Sequence, residues 1–140
     1  MPHLRVWIHL VWSTKNREPY LTKGIREDVF EHIRENAVKK DIYIDFIGGY
    51  KDHVHCLLSL GSEQNISEVV RLIKGESSHW INKNRLTQGR FGWQEEYFAV
   101  SVSESKVERV RRYIANQEKH HKSISFADEF DGFLKRARLG

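Results

Sequence analysis

The sequence is poor in the residues that staple or partition a small protein. It has one cysteine, Cys56, among 140 residues, which excludes an internal disulfide and a cysteine-rich zinc site. With only two prolines and no repetitive, low-complexity or Pro/Ser-rich stretch, it offers no linker, so one domain over residues 1–140 is expected. No apolar run approaches the roughly 18 residues that cross a bilayer. The N-terminal MPHLRVWIHLVW lacks a signal-peptide cleavage pattern. A soluble protein of the reducing cytoplasm, with no membrane partner, is the expectation. What is present is enough for a core: 39% hydrophobic and 11% aromatic residues exclude disordered and collagen-like classes.

Charge is unevenly spread around a formal net +4. Counting Lys/Arg against Asp/Glu, residues 1–40 carry 8 against 5, 65–94 carry 5 against 2, and 105–122 carry 6 against 2. Residues 41–64 and 95–104 are each acidic by three. Basic segments alternating with acidic ones indicate basic patches on a folded surface, which favour a polyanion. Many housekeeping domains share this balance, so charge alone names no partner.

Leu4 to Trp12 alternates, with Leu4, Val6, Ile8, Leu10 and Trp12 on one side and Arg5, Trp7, His9 and Val11 on the other, which predicts a strand. Ile25, Val29, Ile33 and Ala37 recur at helical spacing after Thr22, predicting a helix to about Lys40. Residues 42–49 and 53–60 read as a hairpin, with Gly48-Gly49 as turn chemistry. Asn65 and Glu68 cap a second helix, in which Gly75 hints at a close approach. Tyr97–Val102 reads as a fourth strand, and Ser105 to Glu108 as a capping box opening a helix through about His121. Ser125 and Asp128 open a short last helix with Phe126, Phe130 and Leu134 inward. The order β-α-β-β-α-β defines an α+β, ferredoxin-like split βαβ sheet, with crossover helices on one face and added C-terminal helices, one bearing Tyr113.

His53-Val54-His55 is the central observation. On a strand the two histidines share a face, while Val54, Cys56, Leu58 and Leu60 share the opposite, wholly apolar one. Two imidazoles on one face can bind one metal, although eight histidines make such a pair an easy chance event. On the later helix Tyr113 and Gln117 stand four apart, hence on one side, beside the stripe Val107, Val110 and Ile114. Alone, a tyrosine flanking such a stripe is ordinary core packing. Together these residues offer a nucleophile, two nitrogen ligands and an oxygen ligand.

His-hydrophobic-His on a strand followed by Tyr-x-x-x-Gln on a helix resembles the single-tyrosine HUH transposases of small bacterial insertion sequences and their domesticated relatives, the repeat-associated tyrosine transposases. The resemblance extends through His9 to Lys15, Asp52 to His55, Leu72 to Gly75, Trp93-Gln94 with Tyr97, Ser101-Val102, and Tyr113 to Gln117 with His120-His121. It implies that Tyr113 is the nucleophile and that His53, His55 and Gln117 hold Mg2+ or Mn2+. Such a cation offsets phosphodiester charge, and tyrosine attack exchanges the ester through a 5′-phosphotyrosine. The resemblance also implies single-stranded, hairpin-bearing DNA ends as substrate. It implies a homodimer in which the Tyr113 helix can complete a partner's site, and a bacterial cytoplasm with association to the nucleoid. Lys74, Arg90, Phe91, Trp93, Arg109 and Arg112 fit single-strand binding, in which cations track the backbone and aromatics stack on bases. Trp93 fits the core as well, and His120 and His121 fit an exposed helix surface.

Three alternatives stay open. A repeat-processing endonuclease would use the same chemistry. A non-catalytic nucleic-acid-binding module would ignore His53 and His55. A metallohydrolase would pair these with His120 or His121.

Overall fold

A computed structural model describes residues 4–136. The elements in chain order are β1 (Trp7–Ser13), α1 (Lys23–Lys39), β2 (Tyr43–Gly49), β3 (His53–Ser59), α2 (Ile66–Lys83), β4 (Phe98–Val102), α3 (Val107–Ala115), α4 (Gln117–His120) and α5 (Phe126–Arg136). The four strands form one antiparallel sheet ordered β2-β3-β1-β4. This is the expected split βαβ order, with β3 and β1 central.

Strand period sorts the side chains onto two faces. Leu10, Trp12, Val54, Cys56 and Leu58 point to one face, where Val29, Ile33 and Ala37 of α1 and Val69, Val70, Ile73 and Ile81 of α2 close the main core. The register pairs Val11 with His55 and Ser13 with His53, so these share the opposite face with Trp7, His9 and Leu57. That face carries two separate apolar clusters. Trp7 and Leu57 pack on Val107 and Ile114 of α3, and Val11 and Phe98 pack on Phe126 and Phe133 of α5. The histidines lie between them.

Several local expectations change. β1 starts at Trp7, not Leu4, because its neighbours' pairing ends there, at Ser59 on β3 and Val102 on β4. Asn65 caps α2 as expected, its side chain accepting from the Glu68 N–H. The Ser105–Glu108 box does not form; a 3-10 turn over Glu104–Lys106 leads into α3, with no side-chain cap. The single helix expected through His121 breaks at Asn116 (φ −98°, ψ 19°) into α3 and α4, at a residue of poor helix propensity. Gly48 and Gly49 lie inside β2 and are not the turn. Nothing stands within 4 Å of a Cβ built at Gly75, so no close approach occurs there. Of the inward residues expected on α5, Phe126 is buried and Phe130 and Leu134 are half-buried; Glu129 and Phe133 join Phe126 inside.

Candidate active site

His53 and His55 leave β3 side by side and are both 0% exposed. Each is oriented from behind. His53 Nδ1–H donates to Asp52 Oδ1 at 2.8 Å, and His55 Nδ1 lies 2.9 Å from His9 Nε2 on β1. Both contacts engage Nδ1 and leave Nε2 facing the site, the arrangement that prepares imidazoles as ligands. Gln117 Oε1 stands 2.9 Å from His53 Nε2, and the Tyr113 ring lies 5.6 Å from that of His55, edge-on. One chain thus gathers His53, His55, Tyr113 and Gln117.

Glu129 of α5 occupies the centre. Its Oε1 lies 3.3 Å from His53 Nε2 and 3.2 Å from both His55 Nε2 and His121 Nε2. Its Oε2 accepts from the Tyr113 hydroxyl and, at 3.3 Å, from Gln117 Nε2, with His120 Nε2 3.1 Å away. The carboxylate is buried together with the histidines.

The surrounding fold holds this geometry. A Cβ at Gly48 would sit 2.8 Å from Ile114 Cγ2 and 2.9 Å from Ile114 O, so glycine there lets α3 lie close on the sheet beside His55. Arg111 grips Asp45 of β2 at 2.7 Å, which fixes the turn of α3 before Tyr113. Arg26, buried in α1, bonds Glu118 of α4. Tyr50 stacks on His121 with ring centroids 5.4 Å apart, and Phe126 stacks on His53 at 4.3 Å.

Burial and pairing split the titrations. Burial, then the neighbouring His55, lowers His9 to about 3; burial lowers His55 to about 4. Burial pushes His53 down too, but hydrogen bonds to Asp52, Glu129 and Gln117 outweigh it and raise its pKa. Burial alone would raise Glu129; bonds from His121, His53 and His55 hold it well below the carboxylate range. Burial and then the Glu129 carboxylate push the Tyr113 phenol above its usual value. The pocket therefore favours positive charge between His53 and Glu129 and keeps the phenol protonated.

Among the described residues, two groups could hold a metal: His53, His55 and Glu129, and His120, His121 and Glu129. Imidazole nitrogens with amide and carboxylate oxygens can together hold a divalent cation. The only thiol, Cys56, is buried on the other face. Beside Tyr113 opens a cavity of about 450 Å³ lined by His9, Phe98, Phe133, Arg109 and Arg136. Its apolar walls and two guanidinium groups are suited to a ligand that is part ring and part anion.

The residues expected to bind nucleic acid do not form one surface. Arg109 borders the Tyr113 cavity, and Arg112, on the same helix, is exposed. Arg90 is exposed on the loop before β4. Lys74 is tied to the Glu95 carbonyl at 3.0 Å. The Trp93 indole donates to Ser77 Oγ at 2.9 Å and lies edge-on to Trp12, while Phe91 is buried. These last three fasten the loop before β4 to the apolar side.

Sequence reasoning missed Glu129 and His9 and left His120 and His121 outside the site. A signal existed for Glu129: it sits at i+3 from Phe126 and one turn before Phe133, a carboxylate inside an apolar helix stripe. His9 needed the β1–β3 register, which the sequence does not display.

The fold of this chain is shared by solved transposase structures. One, from Deinococcus radiodurans R1 and assigned as a transposase, aligns with a TM-score of 0.67 and 26% identity over 83% of this chain and 93% of its own. A REP-associated tyrosine transposase bound to a REP hairpin aligns with a TM-score of 0.64 at 18% identity, over 89% of this chain and 73% of its own, a likeness of fold. The ISDra2 transposase TnpA of Deinococcus radiodurans is 27% identical over 114 residues, 78% of this chain and 81% of the relative. Residues 3–117 match the family described as Transposase IS200 like, and the chain belongs to that family. Among the described residues no helix is long and apolar enough to cross a membrane.

Proposed function

We propose that this chain, as one catalytic domain, cuts and rejoins single-stranded DNA through Tyr113, with His53, His55 and Gln117 holding Mg2+ or Mn2+. The observation that carries the reading is convergence: a phenol, two imidazoles and an amide from β3, α3 and α4 meet in one buried pocket of one chain. A cation bound there offsets phosphate charge and polarises the phosphoryl group toward attack. The chain's own residues do the rest. Asp52 and His9 hold the imidazoles in register, and Gln117 Nε2 and Glu129 Oε2 fix the amide and the phenol. Arg109 and Arg136 flank the opening beside Tyr113, where a phosphate would approach. Attack by the phenol oxygen forms a 5′-phosphotyrosine and releases a 3′-hydroxyl, and the reverse attack by a 3′-hydroxyl rejoins the strand without ATP.

Of the cations expected to bind nucleic acid, Arg109, Arg112 and Arg90 are exposed and fit a DNA backbone, with Lys74 and Trp93 shaping the loop that presents Arg90. The structural neighbour bound to a REP hairpin supports hairpin-bearing ends as the substrate, and a homodimer remains part of the reading. The test incubates Tyr113→Phe with single-stranded hairpin-bearing ends and Mn2+. Wild type should yield a covalent protein–DNA adduct on denaturing gels and the variant none. An adduct at wild-type level in the variant would remove Tyr113 from the nucleophile's role.

A further inference from the structure

The family match ends at residue 117, yet the atom at the centre of the pocket lies beyond it. Unshared electron pairs of three side chains point at one another there, with His55 Nε2 and His121 Nε2 also facing Glu129 Oε1. His53 carries its proton on Nδ1, facing the Asp52 carboxylate, so its neutral ring presents a lone pair at Nε2. Gln117 uses its amide N–H groups toward Tyr113 O and Glu129 Oε2, so Oε1 faces the same point, 2.9 Å from His53 Nε2. Glu129 Oε1 is the third, 3.3 Å from His53 Nε2 and 3.2 Å from His55 Nε2. Mutually facing acceptors require either a proton or a cation between them. A charge-assisted N–H···O contact closes to about 2.7–2.9 Å. Neighbouring ligands of a hard cation bound at about 2.1 Å in octahedral geometry stand about 3 Å apart. The two Glu129 separations, 3.3 and 3.2 Å, lie outside the charge-assisted range and nearer the ligand spacing.

We infer that Glu129 is itself a ligand of the divalent cation, so that α5 closes the metal centre with a carboxylate beside His53, His55 and Gln117. This rests on the proposed metal centre. The consequence is a division of labour within one carboxylate: Oε1 faces the cation and Oε2 receives the Tyr113 hydroxyl, which ties the position of the phenol to the metal. A carboxylate among otherwise neutral ligands also raises affinity for a hard divalent cation, because ligand charge sets how tightly such ions are held.

The test is calorimetric titration of metal-free protein with Mn2+ alone, so the readout is binding and not cleavage. Glu129→Gln keeps the shape and removes the charge. Asp131→Asn, exposed on the same helix, controls for surface charge, and His53→Ala tests the centre itself. Expected are wild-type affinity for Asp131→Asn, loss of the site in His53→Ala, and affinity weaker by about tenfold or more in Glu129→Gln. Unchanged or tighter Mn2+ binding by Glu129→Gln, with binding lost in His53→Ala, overturns the Glu129 assignment and leaves the histidine centre standing. Equal binding by wild type and His53→Ala overturns both. Melting in EDTA reports whether each variant is folded. Where Glu129→Gln does not fold, Glu129→Asp, with its carboxylate withdrawn by one methylene, is read by the same outcomes.

Discussion

The two faces of β3 are built on opposite principles from neighbouring residues. Val54, Cys56 and Leu58 enter a continuous apolar core between the sheet and helices α1 and α2. His53 and His55, one position out of phase, enter a pocket in which their ring nitrogens are held by other polar groups: His9, Asp52, Gln117 and Glu129. The first face gains its stability from apolar area, which is non-directional and tolerant of small shifts. The second is directional, and a buried imidazole or carboxylate that loses its partner costs about 1–3 kcal/mol, more when it is charged. On the proposed function, stability and chemistry are carried by alternate residues of one strand.

The largest expected effects break this division from either side. His55→Ala should reduce DNA cleavage to background while shifting the EDTA melting temperature less than a core truncation does. Leu58→Ala should cost about 2–5 kcal/mol of unfolding free energy, measured by urea titration, yet leave cleavage near wild type at a temperature where the variant is folded. Equal stability losses in the two variants would mean that the second face also carries the fold.

Acidity separates the faces next, because His9, His53, His55 and Glu129 all lie on one of them while burial pushes the Cys56 thiol of the other up. His9 and His55 are held neutral, at about 3 and about 4, whereas an unfolded chain protonates them near 6.5. Below about pH 6.5 the unfolded state therefore binds more protons, and stability falls as the pH drops, by up to about 1.4 kcal/mol per pH unit for each histidine. His53 has the opposite sign. Its raised pKa gives stability that is fully present below about 6.5 and lost as pH rises through the folded value. Glu129, depressed, stabilises above the ordinary carboxylate pKa of about 4.3, and that contribution is lost as pH falls further. Metal-free protein should melt highest near pH 6.5, falling on both sides. A melting temperature that climbs steadily from pH 6.5 to pH 5 would reverse the assignment for His9 and His55.

The two faces also differ in how well the sequence displays them. The apolar side was legible because its signals are local: period two along β1 and β3, period 3.6 along α1 and α2. The same parity set His53 and His55 on the opposite face, and Tyr113 and Gln117 followed from helix spacing. What stayed hidden depends on contacts between distant elements. His9 reaches His55 only through the strand register. Glu129 enters only once α5 docks by Phe126 and Phe133. His120 and His121 turn toward it after the break at Asn116, whose weak helix propensity is a signal too common to mark a boundary by itself. Lys74 and Trp93 have compositions suited to nucleic acid but partners that fasten a loop.

Two glycines put the same contrast on the smallest scale. Gly75, on the helix of the apolar side, faces open space, so Gly75→Ala should stabilise by about 0.5–1 kcal/mol through helix propensity alone and leave cleavage unchanged. Gly48 is in β2 beneath α3, and a methyl group there meets both the side chain and the carbonyl oxygen of Ile114. The side chain can rotate away; the carbonyl moves only if the helix does. Gly48→Ala should therefore cost about 1–3 kcal/mol, as overpacking does. Because Ile114 follows Tyr113 directly and precedes Gln117 by three residues, displacing α3 shifts Tyr113 and, through the short link at Asn116, Gln117 at the start of α4 relative to His53. Cleavage rate should then fall further than in Leu58→Ala at matched stability, a comparison made by assaying both at the temperature where each is equally folded. If the two variants lose cleavage only in proportion to stability, then the closeness of α3 to the sheet serves packing and not the alignment of the site.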